Sequence, residues 1–136
     1  MLTKNLETTN HSKHFLKCHL IFVCKYRKKL FLNQRLSDDM KQILFDVANE
    51  SDFSIESMEV DVDHIHILVR YIPRLSISSI VNRLKAVSTN RIWKIHKVFL
   101  LKHFWKEHTF FTDGYFVSSI GYASQETIDE YIRNQG

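Results

Sequence analysis

The chain has 136 residues, enough for one domain with a substantial core, and its 44% hydrophobic content excludes a disordered polypeptide. No window is apolar for long enough to span a bilayer. A formal charge of +4, with eight histidines uncounted, permits a polyanionic partner without requiring one.

The N-terminal stretch MLTKNLETTNHSKHF has neither the apolar core nor the small-residue cleavage site of a signal peptide, so a cytoplasmic location is expected. Residues 1–13 read as a flexible lead into a single domain that occupies 1–136. Residues 16–24, LKCHLIFVC, are an almost unbroken apolar run of strand length and suit a central strand buried on both faces. Cys18 and Cys24 lie on that one strand, too far apart to pair at roughly 3.3 Å per residue, and are expected to be core thiols in a reducing compartment.

The basic stretch KYRKK, Lys25 to Lys29, follows. Ser37 then offers a helix N-cap with Asp38 and Asp39 in the first turn, and Met40, Ile43, Leu44, Val47 and Ala48 repeat with helical spacing to about Glu50. A half-buried strand reaches from about Phe53 to Val60, with a break in phase between Ile55 and Met58 that predicts a bulge. Asp61 to Asp63 form a polar turn, and His64 to Tyr71 return as the partner strand. Beyond Pro73, Ser76 caps a second helix with Ile77, Ile80, Val81, Leu84 and Val87 on one stripe. A poorly patterned, aromatic and basic segment runs from Trp93 to about Thr109. FFTDGYFVSSIG, residues 110–121, is a fourth strand interrupted near Asp113 and Gly114. Ser124 caps a last helix carrying Ile128, Tyr131 and Ile132, over residues 124–135.

The order β-α-β-β-α-β plus one helix, joined by right-handed crossovers, gives an α+β fold: a ferredoxin-like split βαβ whose antiparallel sheet has its first and third strands in the middle. Alternation in DHIHILVR then sends His64 and His66 to one face and Ile65, Ile67 and Val69 to the other. Imidazole is the commonest protein metal ligand, so the pair can supply two donors to one ion. Histidines in strands are also ordinary hydrogen-bonded structural residues, and eight in the chain make some proximity unsurprising. Tyr131 and Gln135 are four residues apart and share a helical face, so a helix lying over the imidazoles can bring a third donor and a phenol. Tyr131 as a plain core aromatic beside Ile128 explains the same pattern.

The motifs CHLIFVCKYRKKLF, DHIHILV, LKAVSTNRI, FFTDGYFVSSIG and IDEYIRNQ, in this order and spacing from about His14 onward, resemble the small single-tyrosine transposases of the HUH superfamily, the TnpA-like proteins of insertion-sequence 200/605 elements. The resemblance implies metal-assisted, ATP-independent cleavage and rejoining of single-stranded DNA at element ends through a 5′-phosphotyrosine. It implies catalytic roles for His64, His66 and the nucleophile Tyr131, and a divalent ion, Mg²⁺ or Mn²⁺, held by His64, His66 and Gln135. Its further implications are DNA with subterminal hairpins as substrate and a homodimer whose active sites combine the histidines of one subunit with the tyrosine helix of the other. The chain departs from the family at Gly121 and Tyr122, where two small residues are usual before that helix.

Tyr26, Tyr71, Tyr115 and Tyr122 compete with Tyr131, but it alone has a candidate ligand one turn away. Lys25, Arg27, Lys28 and Lys29, with Arg83, Lys85 and Arg91 on the second helix, are candidate phosphate contacts, and Tyr26 and Trp105 are candidate stacking surfaces for bases. Each basic group is also consistent with a solvated surface. Two other functions fit the same residues: a noncatalytic single-strand-binding module, and a phosphodiesterase that uses metal-bound water.

Overall fold

The computed structural model describes residues 16–118 and 125–135. In chain order these contain β1 (Leu16–Val23), α1 (Gln34–Asn49), β2 (Phe53–Asp61), β3 (His64–Tyr71), α2 (Ile77–Ile95), α3 (Lys97–Phe104), β4 (Phe116–Ser118) and α4 (Gln125–Arg133), with two short 3₁₀ turns between β1 and α1. The sheet order is β2-β3-β1-β4 and every pairing is antiparallel. This is the split βαβ arrangement expected, with β1 and β3 central.

β1 and β3 pair along their whole length, from Leu16 opposite Tyr71 to Val23 opposite His64. In β3 buried and half-buried residues alternate without exception, so Ile65, Ile67, Val69 and Tyr71 point to one side and His64, His66, Leu68 and Arg70 to the other. The expected bulge in β2 is present as a register shift between Ile55 and Ser57. Leu20, Phe22, Ile65 and Ile67 on the first side join Leu36, Met40, Leu44 and Val47 of α1 and Ile80, Leu84 and Ile92 of α2 in one core.

Three boundaries differ from the sequence pattern. The cap of α1 is Asn33, not Ser37: the Asn33 side-chain oxygen accepts from Leu36 N–H at 3.1 Å, while Ser37 is buried inside the helix. Starting one turn earlier seats Leu36 in the core, which a start at Ser37 would not. The segment from Trp93 is helical for most of its length. Here α2 runs on to Ile95, the chain bends at His96, whose ring bonds Asp39 of α1 at 2.7 Å, and α3 follows. Only Leu100 and Phe104 of α3 are buried, so its periodicity is faint. The fourth strand is reduced to Phe116–Ser118 beside β1, with an isolated bridge between Cys24 and Phe111 upstream. Ser124, Gly121 and Tyr122 lie outside the described residues. Among the described residues no helix is long and apolar enough to cross a membrane.

Candidate active site

The second face of the sheet carries His64 and His66 from β3 and His19, Ile21 and Val23 from β1. α4 packs on it, burying Ile132 against Ile21 and Val23, with Phe116, Ile128 and Tyr131 around them. Each imidazole of the pair is held through one ring nitrogen. His64 Nδ1 lies 2.9 Å from the Asp63 carboxylate, and His66 Nε2 lies 2.8 Å from His19 Nδ1. This leaves His64 Nε2 and His66 Nδ1 for another partner. Burial first, and the neighbouring His19 second, push the His66 pKa below its usual value, so the ring favours the neutral form in which imidazole binds metals.

Asp63 is itself buried, and its second partner is Arg27, whose Nε donates to it at 3.2 Å. Arg27 reaches it from a turn in which both Tyr26 and Arg27 adopt left-handed backbone conformations, φ 60° and 52°. Non-glycine residues rarely take these angles. Here the turn is tied down by Cys24 N–H donating to Asp63 C=O at 2.8 Å and by the Tyr26 hydroxyl donating to Glu107 at 2.7 Å. The result is a relay Arg27–Asp63–His64 that fixes the orientation of one imidazole, the arrangement that outer-shell carboxylates give to metal-binding histidines.

Tyr131 occupies the other flank of β1. Val23 stands opposite His64 on one side, and on the other its carbonyl accepts from Thr112 N–H at 2.8 Å. Ile21 likewise stands between His66 and Phe116. The Tyr131 ring packs on Phe116, centroids 5.6 Å apart, and its hydroxyl is buried without a hydrogen-bond partner of ordinary geometry among the described residues. Burial raises the phenol pKa, partly offset by the nearby Thr112 hydroxyl. Histidines and phenol therefore share a face but lie toward opposite sides of β1: the histidines stand on β3, and the phenol packs over β4, about 10 Å from β3 at two interstrand spacings.

Gln135 lies beyond the last helical residue, in a turn closed by its N–H on Ile132 C=O at 3.1 Å. Its carboxamide folds back, Nε2 donating to Tyr131 C=O at 3.2 Å. Among the described residues no group of three or more His, Cys, Asp or Glu is placed to hold an ion. Two oriented imidazoles with free ring nitrogens nonetheless fit a divalent cation whose other positions are filled by water, substrate oxygen or a carboxamide.

The basic candidates divide. Lys25, Arg27, Lys28 and Lys29 follow the end of β1 that faces His64, and Lys29 is exposed. Arg91 instead makes a two-pronged pair with Glu50 at 3.1 and 2.7 Å, and Arg83 donates to Ser51, so both tie α2 to the end of α1 in the helical layer. The three N–H groups of Lys85 meet three backbone carbonyls, which leaves none for a phosphate. Trp105 is 74% exposed and free to stack, with the Lys106 ammonium over its ring. His19, Asp63 and Thr112 were not singled out from sequence. The signal for His19 was present, since it shares strand parity with Ile21 and Val23, but its partner lies 47 residues away.

Residues 12–135 match the model of the IS200-like transposase family. The chain belongs to that family. It is 28% identical over 120 residues to the ISDra2 transposase TnpA of Deinococcus radiodurans, covering 88% of this chain and 84% of the relative. It is also 28% identical over 125 residues to the transposase of insertion element IS200 from Salmonella typhimurium, covering 92% and 80%. A crystal structure of a candidate transposase from Deinococcus radiodurans superposes with a TM-score of 0.80 at 28% identity, over 90% of this chain and 92% of the other. A REP-associated tyrosine transposase bound to a REP hairpin shares the fold at TM-score 0.55 and 11% identity, over 86% and 62%. Membership of this family makes the chain a transposase, an enzyme that processes DNA.

Proposed function

We propose that this transposase cleaves and rejoins single-stranded DNA at the ends of an insertion element, with Tyr131 as nucleophile. The observation that carries the reading is that one face of the sheet holds an oriented imidazole pair, His64 and His66, and a tyrosine whose buried hydroxyl, with only the Thr112 hydroxyl near it, makes no hydrogen bond of ordinary geometry among the described residues.

The Tyr131 oxygen attacks the scissile phosphorus, a P–O bond to the phenol forms, and the P–O3′ bond breaks. The electron pair leaves on O3′, which takes up a proton, while the phenolic proton passes to water or a base. The 5′-phosphotyrosine conserves the phosphodiester, so another 3′-hydroxyl reverses the attack and joins new strands without ATP. His64, His66 and Gln135 would hold Mg²⁺ or Mn²⁺, which when bound neutralises charge on a phosphate oxygen. Asp63 and His19 keep the two rings aimed, and Lys25, Lys28 and Lys29 attract the DNA backbone beside them. Hairpin-bearing single strands are the proposed substrate. A homodimer that exchanges α4 is the proposed assembly, because within one chain the phenol stands across β1 from the histidines.

Incubating the protein with labelled single strands from its element's ends and Mg²⁺ or Mn²⁺ tests this. A denaturation-resistant adduct is expected that vanishes in Tyr131→Phe and in His66→Ala. Noncovalent binding alone would assign a binding module instead, and nicking without an adduct would assign a water-using phosphodiesterase.

A further inference from the structure

The segment before β4 is irregular in a defined way. Ile21 faces Phe116 and Cys24 faces Phe111, so three steps along β1 are matched by five along its partner, and two residues are extruded around Asp113 and Gly114. A bulge of this kind turns backbone carbonyls away from the ladder, and each needs another donor.

Lys85, from α2 in the helical layer, supplies all of them. Its Nζ lies 2.6 Å from Thr112 C=O, 3.2 Å from Asp113 C=O and 2.6 Å from Gly114 C=O, and 5.3 Å from the centroid of the Phe22 ring. The Asp113 side chain is fully exposed, 3.8 Å from Lys25, so it does not occupy the ammonium. Both ends of the bulge border the nucleophile: a Cβ on Gly114 would stand 3.7 Å from the Tyr131 hydroxyl oxygen, and the Thr112 hydroxyl is the neighbour that influences that phenol.

We propose that Lys85 is a positioning residue for Tyr131: by gathering three consecutive carbonyls it fixes the bulge that forms the seat of the phenol. The proposal rests on Tyr131 being the nucleophile. A seat of this kind serves an α4 from the same chain or from a second copy. Arginine does not replace lysine here, because a planar guanidinium cannot direct its N–H groups to three carbonyls converging on one point.

The test places 3-fluorotyrosine at position 131 and compares wild type, Lys85→Met, Lys85→Arg and Gly114→Val by fluorine NMR, adduct-formation rate and DNA affinity across salt. Both Lys85 variants are expected to shift the fluorine resonance toward its unfolded position. They should also slow adduct formation by about ten- to a hundredfold at saturating DNA, with unchanged affinity and salt dependence. Gly114→Val, whose branched side chain extends beyond a Cβ already in contact with the phenol and perturbs the bulge while leaving the Lys85 side chain in place, is expected to reproduce the shift and the slowing. If Lys85→Met does not fold, the arginine and valine variants decide. A wild-type resonance and rate in Lys85→Arg, or in Gly114→Val, overturns the proposal. So does a loss of affinity in Lys85→Met, with a salt slope lower by about one, that arginine restores, because this is the mark of a phosphate contact. Adducts persisting in Tyr131→Phe would sink the nucleophile reading alone, since the resonance still reports whether Lys85 shapes the seat.

Discussion

The two faces of the sheet differ in what covers them. On one, Cys18, Leu20 and Phe22 of β1, Cys24 just beyond it, and Ile65, Ile67, Val69 and Tyr71 of β3 meet two long helices in a continuous apolar core. On the other, three buried apolar residues, Ile21, Val23 and Ile132, form a small cluster beside His19, His64, His66 and Tyr131. The same strands serve both faces because side chains alternate, so the histidines cost the core nothing: isoleucines hold the fold at the positions between them. Burial that stabilises and polar groups that react are thereby separated by the thickness of one sheet.

Core truncation should break that division most visibly. Phe22→Ala, at a fully buried position, is expected to lose about 3–5 kcal/mol in denaturant unfolding, whereas Ile132→Ala should lose about 2 kcal/mol and loosen only α4. Equal, global losses would mean that the second face is as much a core as the first. Next in size is Asp63→Asn, which keeps the shape but weakens the grip on His64. Adduct rate or metal affinity should fall roughly ten- to a hundredfold with little change in the unfolding midpoint. A large stability loss with normal activity would place Asp63 in the scaffold instead.

Tyr131→Phe sharpens the contrast from the other side. Removing a buried hydroxyl that makes no hydrogen bond of ordinary geometry among the described residues should leave stability within about 1 kcal/mol of wild type, or raise it, while the adduct disappears. The smallest effect concerns the thiols. Burial pushes Cys18 up to about 11, and burial together with Asp63 raises Cys24 well above the usual thiol range. Both therefore remain protonated thiols at neutral pH. A thiol-reactive chromogen at pH 8 should label neither residue until denaturant is added, and rapid native labelling would show that the first face opens.

Much of this was legible along the chain. The strand alternation around His64 and His66, the phase break after Ile55, the Ser76 cap and the interruption at Asp113 and Gly114 all arise between residues a few positions apart, and all appear in the fold. The cap at Asn33 and the helix at Lys97–Phe104 escaped because their apolar signals are sparse and the core settled the boundary.

Local periods thus determined which elements form, their order, and which side chains share a face, since each depends on backbone geometry that repeats every two or 3.6 residues. Tertiary structure alone decided that His19 meets His66, that Arg27 aims Asp63 at His64, and that Lys85 gathers the carbonyls beside Tyr131. These partners lie 27 to 47 residues apart, apart from the adjacent Asp63 and His64, and are brought together by strand register and helix packing. No repeat within the chain encodes that registration.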